Sequence, residues 1–122
     1  MHLRIDGYAR NEGLLTDVAV LAAWLEACVF FIGMTVIAAP RVVAFPGSNG
    51  GDMTQKPGLS GDVILAESGV MVHTWPEYGL VMLDIFSCRR FDVDGTVAFV
   101  EKSFDMVDCR WDWTLRPLGI EV

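Results

Sequence analysis

Four residues carry the chemistry this sequence offers. Glu67-Ser68 lies at a break between two apolar runs, His73 follows the serine by five residues, and Cys88 follows it by twenty. A serine hydroxyl becomes a nucleophile when a base stands by it, an imidazole is the side chain that titrates near neutrality, and a thiol can serve as acid or nucleophile. Each residue taken singly has a plainer reading. A serine in a turn is a turn residue, a histidine on a strand is a hydrogen-bonded structural group, and a cysteine at a strand end is a small buried hydrophobe. Metal chemistry is not expected. His2 and His73 are far apart, and Cys28, Cys88 and Cys109 form neither a CxxC pair nor a disulfide framework, which points to a reducing, cytoplasmic setting. The sequence holds no GxGxxG, Walker or GxSxG motif and no internal repeat.

The elements that must position these residues follow from hydrophobic periodicity. Residues 2–6 (HLRID) alternate as a first strand, and 34–39 (MTVIAA) read as a buried strand ended by Pro40. Between them, residues 17–32 form a helix with Val18, Leu21, Ala22, Leu25 and Val29 on one face, Thr16 as N-cap, Asp17 in the first turn and Gly33 as the stop. PGSNGGDMTQKPG, from Pro46 to Gly58, is a long loop. Strands follow at 61–66, 69–74 and 80–87, the last two joined by Trp75-Pro76-Glu77-Tyr78-Gly79. A final strand shows strict alternation of Val107, Cys109, Trp111, Trp113 and Leu115 with polar residues. Residues 92–104 suit either a hairpin turning at Asp94-Gly95 or a short helix with Asp94 as N-cap. The sum is one α+β domain, 1–122, an antiparallel sheet with helices on one face.

Composition excludes several functions. Sixteen Asp+Glu against nine Lys+Arg give a net charge of −7, and without a basic run the surface would repel nucleic acid. That balance suits a cationic ligand, although solubility alone is the more ordinary reason for it. With 52% hydrophobic residues the chain is too apolar for disorder. Val18 to Ala39 is long enough to span a bilayer, but Glu26, Gly33 and the change of character after Gly33 divide it into a core helix and a strand. Arg4, Asp6, Arg10 and Glu12 ahead of it do not form the short basic leader of a signal peptide.

Read together, GLSG (58–61), LAES (65–68), VHTWPEYG (72–79) and LDIFSC (83–88) resemble the prokaryotic S-adenosylmethionine decarboxylase proenzymes, pyruvoyl enzymes that cut themselves at a Glu-Ser bond. The resemblance is dense over 58–88. It extends more loosely to HLRID, the first helix and Gly33-Met34-Thr35-Val36.

The resemblance implies that Ser68 attacks the Glu67 carbonyl, that His73 is the base for the ensuing elimination, and that Ser60 supports this processing. The products are a chain 1–67, a chain 68–122, and a pyruvoyl cofactor made from Ser68. The ketone forms a Schiff base with the substrate amine, and Cys88 matches the general acid that returns a proton after CO₂ is lost. Trp75 and Glu77 match ligand positions, the indole suiting a sulfonium or adenine and the carboxylate the ribose hydroxyls. Phe45 is a candidate second aromatic for the adenine, and Asp6 falls where the family often has an acidic residue near the substrate. The expected protein is a cytoplasmic homodimer forming an αββα sandwich, which makes decarboxylated S-adenosylmethionine for spermidine synthesis. Gly69 stands where the family usually has histidine, and Arg89-Arg90 where a small turn residue is usual. The same chemistry on ornithine or arginine, or an uncleaved regulatory relative, are the alternatives.

Overall fold

A computed structural model describes residues 1–47 and 56–118. Six strands form one antiparallel sheet in the order β2-β3-β4-β5-β1-β6. They are β1 (His2–Ala9), β2 (Val36–Phe45), β3 (Gly58–Leu65), β4 (Ser68–Trp75), β5 (Leu80–Ser87) and β6 (Met106–Thr114). Helices α1 (Glu12–Thr16), α2 (Val18–Ile32) and α3 (Val93–Phe104) complete the chain, with a 3₁₀ turn at Pro76–Tyr78.

The helices cover one face, as the strand periodicity requires. Leu3 and Ile5 of β1, Val63 of β3, Val72 of β4 and Ile85 of β5 meet Leu21, Leu25 and Val29 of α2 and Val100 and Phe104 of α3 in a single buried cluster. The alternate residues of the same strands lie on the opposite face, which carries no helix among the described residues. Cross-strand register lines up Val43, Ser60, His73, Met82, Asp6 and Arg110 as one row across all six strands of that open face.

Several expectations need correction. The N-cap of α2 is Asp17, whose carboxylate accepts from the Ala19 and Val20 amides at 2.9 and 3.2 Å, while Thr16 ends the separate short helix α1. Gly33 does stop α2, in the left-handed conformation (φ 73°) that glycine adopts at least cost. Strand β2 runs through Pro40 instead of stopping there, and it is mostly exposed, not buried. It is an edge strand whose register slips between Ala38 and Arg41, and an edge with a bulge is where a sheet tolerates proline. Residues 92–104 resolve as helix, because Asp92, not Asp94, caps it by accepting from the Gly95 amide at 3.0 Å. The loop expected over 46–58 falls mostly on 48–55, outside the described residues. No helix among the described residues is long and apolar enough to cross a membrane.

Candidate active site

The sequence-predicted residues gather at the two ends of β4. At its first end, β3 and β4 join through the two-residue turn Ala66-Glu67, closed by the Leu65–Ser68 pair. Glu67 takes φ 61°, unusual for a residue with a Cβ and a place where backbone strain is held by its surroundings. Two hydrogen bonds hold the turn: the Ala66 amide donates to the Thr35 carbonyl at 2.9 Å, and the Cys88 amide donates to the Glu67 carbonyl at 3.3 Å. Ser68, next in line, is half-buried and places its Oγ 3.1 Å from Ser87 Oγ. The Ser68 hydroxyl, the Glu67 carbonyl and the backbone of Cys88 therefore lie together within one protomer. Gly69 is not demanded by the backbone: its φ is not positive, and an added Cβ would meet only the Val63 carbonyl oxygen, at 3.7 Å.

The second end holds the other group. Ser60 and His73 face each other across β3 and β4, with Ser60 Oγ and His73 Nδ1 sharing a 2.8 Å hydrogen bond. When His73 Nδ1–H is the donor, Nε2 is left as the basic nitrogen. The Trp75 ring lies 6.1 Å from the His73 ring at 34°, and the Trp75 indole N–H is buried without a partner among the described residues. Phe45 pairs with Gly58 at the same end, and a Cβ on Gly58 would sit 2.7 Å from the Phe45 ring and 1.9 Å from the Thr74 carbonyl oxygen. Only glycine fits there. Thr74, fully buried, anchors this end by donating to the Leu15 carbonyl and accepting from the Leu59 amide. Glu77 sits in the 3₁₀ turn beyond Trp75, exposed, with Lys56 Nζ 3.7 Å from its carboxylate.

The structure does not bring His73 to Ser68. Five strand residues separate them, about 16 Å at roughly 3.3 Å per residue. Their parity also differs: Ser68 shares that of Val70, Val72 and Thr74, which face the helices, whereas His73 lies on the open face. Asp6 is two strands from His73 in the same row, about 10 Å at roughly 4.8 Å per strand. Burial, and then neighbouring Asp84, raises the Asp6 carboxyl above the ordinary aspartate value.

Of the cysteines, burial pushes Cys28 up to about 12, while burial and Glu101 push Cys109 up to about 11, so both stay protonated thiols away from the junction. Cys88 alone adjoins the scissile bond. No group of three or more His, Cys, Asp or Glu that could hold a metal occurs among the described residues. A pyruvoyl group, if this chain forms one, would come from Ser68, and the residues fit it, since Ser68 adjoins a carbonyl that accepts the Cys88 amide proton.

Ser87 was not legible in the sequence. Its one signal is cross-strand, the Ser68–Ser87 pairing of β4 with β5, and knowing the strand register would have found it.

The described residues thus form a helix-backed antiparallel sheet with a Glu-Ser turn at one end of β4 and a Ser-His pair at the other. The family follows from comparison: the S-adenosylmethionine decarboxylase profile matches residues 1–116, and the chain belongs to that family. A decarboxylase proenzyme of Archaeoglobus fulgidus is 53% identical over 49 residues, 40% of this chain and 38% of that one. One from Thermotoga petrophila is 30% identical over 98 residues, 80% of this chain and 67% of its own length. The fold is similar to the crystal structure of the adenosylmethionine decarboxylase from Aquifex aeolicus, with a TM-score of 0.69 at 21% identity over 91% of this chain and 84% of that one.

Proposed function

We propose that the chain is a self-processing, pyruvoyl-dependent decarboxylase of S-adenosylmethionine, supplying an aminopropyl donor for spermidine synthesis. The observation that carries this reading is the Glu67-Ser68 turn, with Glu67 held at φ 61° and its carbonyl taking the Cys88 amide proton. Ser68 Oγ attacks that carbonyl carbon, and the C–N bond breaks as the ester forms. The hydroxyl proton ends on the freed amine, so the shift needs no outside reagent. A base then removes the Ser68 Cα proton, the Glu67 carboxylate leaves, and hydrolysis of the resulting dehydroalanine releases ammonia. Chains 1–67 and 68–122 result.

The pyruvoyl ketone supplies an electron sink for loss of CO₂ from an α-amino acid. Cys88, beside the junction, holds the proton returned to the substrate carbon. Trp75 and Phe45, at the far end of the sheet, offer aromatic faces to a sulfonium or adenine, and Glu77 offers a carboxylate to ribose hydroxyls. Asp6 adds negative charge to the open face, where a cationic substrate is favoured.

The roughly 16 Å between Ser68 and His73 supports a homodimer. Two copies stacked through their open faces, strands running oppositely about a two-fold axis, would lay the His73 end of each over the Ser68 end of the other. The helices would then lie outside and the sheets inside, an αββα sandwich. Three cysteines without a disulfide support a cytoplasmic location.

The test is intact mass of the purified protein with CO₂ release from labelled substrates. The expected result is two fragments divided at Glu67/Ser68 and turnover of S-adenosylmethionine. A chain that stays whole sinks self-processing. Turnover of ornithine or arginine without S-adenosylmethionine replaces the substrate.

A further inference from the structure

The Ser68 hydroxyl has one side-chain partner among the described residues, and that partner is fully buried. Ser87 Oγ lies 3.1 Å from Ser68 Oγ and accepts the Arg89 amide proton at 2.9 Å. The backbone of Ser87 is fixed as well: its amide donates to the Met1 carbonyl at 2.8 Å, and it pairs with Ser68 across β4 and β5. One residue on, the Cys88 amide donates to the Glu67 carbonyl. Residues 87–89 thus form a short cradle that grips both halves of the scissile dipeptide. Ser87 holds the attacking oxygen, Cys88 holds the carbonyl oxygen, and the Arg89 amide holds Ser87.

We propose that Ser87 is the positioning residue for backbone cleavage, setting Ser68 Oγ for attack on the Glu67 carbonyl through the hydrogen bond between the two hydroxyls. The inference rests on the self-processing reading above and deepens it. A serine hydroxyl is far too weak a base to keep the proton. Its role is geometric: with one lone pair committed to the Arg89 amide, Ser87 Oγ receives the Ser68 O–H on the other, which leaves both Ser68 lone pairs for the carbonyl carbon. The bond made is Ser68 Oγ to Glu67 C, the bond broken is Glu67 C to Ser68 N, and the hydroxyl proton passes to that nitrogen. Fixing the reacting atoms this way removes rotamer freedom that would otherwise be lost on the way to the transition state. The burial of Ser87 also matters, because its hydroxyl meets little competing water.

The test follows self-cleavage of freshly purified proenzyme on denaturing gels for the wild type, Ser68→Ala, Ser87→Ala and Ser87→Thr, with and without hydroxylamine, which cleaves the ester but not the amide. The expectation is cleavage slowed at least tenfold in Ser87→Ala, near-normal cleavage in Ser87→Thr, and no acceleration of Ser87→Ala by hydroxylamine, because forming the ester is then the slow step. A purely structural role would not produce that insensitivity together with rescue by threonine. Circular dichroism and thermal unfolding establish that the variants fold. Should Ser87→Ala not fold, Ser87→Cys keeps the volume but is a poor acceptor, and it too should cleave slowly. Folded Ser87→Ala or Ser87→Cys cleaving at the wild-type rate, or Ser87→Ala cut by hydroxylamine as readily as wild type, overturns the role of Ser87 alone. A wild-type chain that never cleaves overturns the self-processing reading itself.

Discussion

The two ends of β4 differ in what they lack. At the first end the Ser68 hydroxyl, the Glu67 carbonyl and the groups that bond to them come from neighbouring strands of one chain: Glu67 and Ser68 from the β3–β4 turn, Ser87 and the Cys88 amide from the end of β5. At the second end Ser60 and His73 form an equally well-made pair, with the Trp75 ring beside it, yet the Glu67-Ser68 bond is out of reach. In the proposed reading one end supplies the bond to be cut and the other the base. Five strand positions, about 16 Å, lie between them, and the proposed homodimer is what would bring the two together.

The sharpest way to break this contrast is Ser68→Ala, which should abolish fragment formation and all decarboxylation, read by intact mass and CO₂ release. Next is His73→Ala, expected to slow processing about a hundredfold or more, as loss of a general base does. Co-expression of the two variants is decisive. A mixed dimer has one Ser68 facing one His73, so tagged His73→Ala chains should regain cleavage when Ser68→Ala chains are present. Cleavage that is never rescued would mean that each protomer acts alone.

A third variant strikes one end only. Gly58→Ala drives a Cβ into the Thr74 carbonyl oxygen and the Phe45 ring, and should cost about 1–3 kcal/mol in denaturant unfolding, as overpacking does. It should raise KM more than it slows cleavage at Ser68. Asp17→Ala, remote from both ends, should cost about 1 kcal/mol by removing the α2 cap, with cleavage unchanged.

The smallest effect concerns Asp6, midway on the open face. Its folded carboxyl binds a proton more tightly than in the unfolded chain, so stability falls as pH rises through the window just above about 3.9, the ordinary aspartate value. Asp6→Asn should therefore melt slightly higher than wild type at pH 7, with the gap closing as pH drops below that window.

Legibility tracked how local the cause was. Strand β5 was readable to the residue, Leu80–Ser87, because a turn and a polar break bound its apolar run. Gly33 was readable because a helix stop needs nothing beyond its own backbone. Pro40 misled, since its tolerance depends on β2 lying at an edge, which only the assembled sheet reveals. Asp94 misled because Asp92, two residues earlier, offers a carboxylate in the same way, and Gly95 donates to that one. The short helix α1 was passed over because five residues hold too little periodicity to register. In the candidate site, residue types alone left Ser68, His73 and Cys88 with plain structural readings, and it was the resemblance that singled them out. That His73 lies at the far end of β4, and that Ser87 pairs with Ser68, are facts of register.

The position of the Glu67-Ser68 turn bears on how the molecule would come apart. Of the six strands, β1, β2 and β3 precede the turn and β4, β5 and β6 follow it, yet the spatial order inserts β1 between β5 and β6. A cut at the turn would therefore leave two interlocked peptides sharing three strand–strand seams, β3 with β4, β1 with β5 and β1 with β6. Within one protomer, unfolding the uncut precursor leaves its strands tethered in a single peptide. Melting the cut form would also release two separate chains, so its midpoint should fall on dilution, and its reassembly would have to find a partner before it could find a fold.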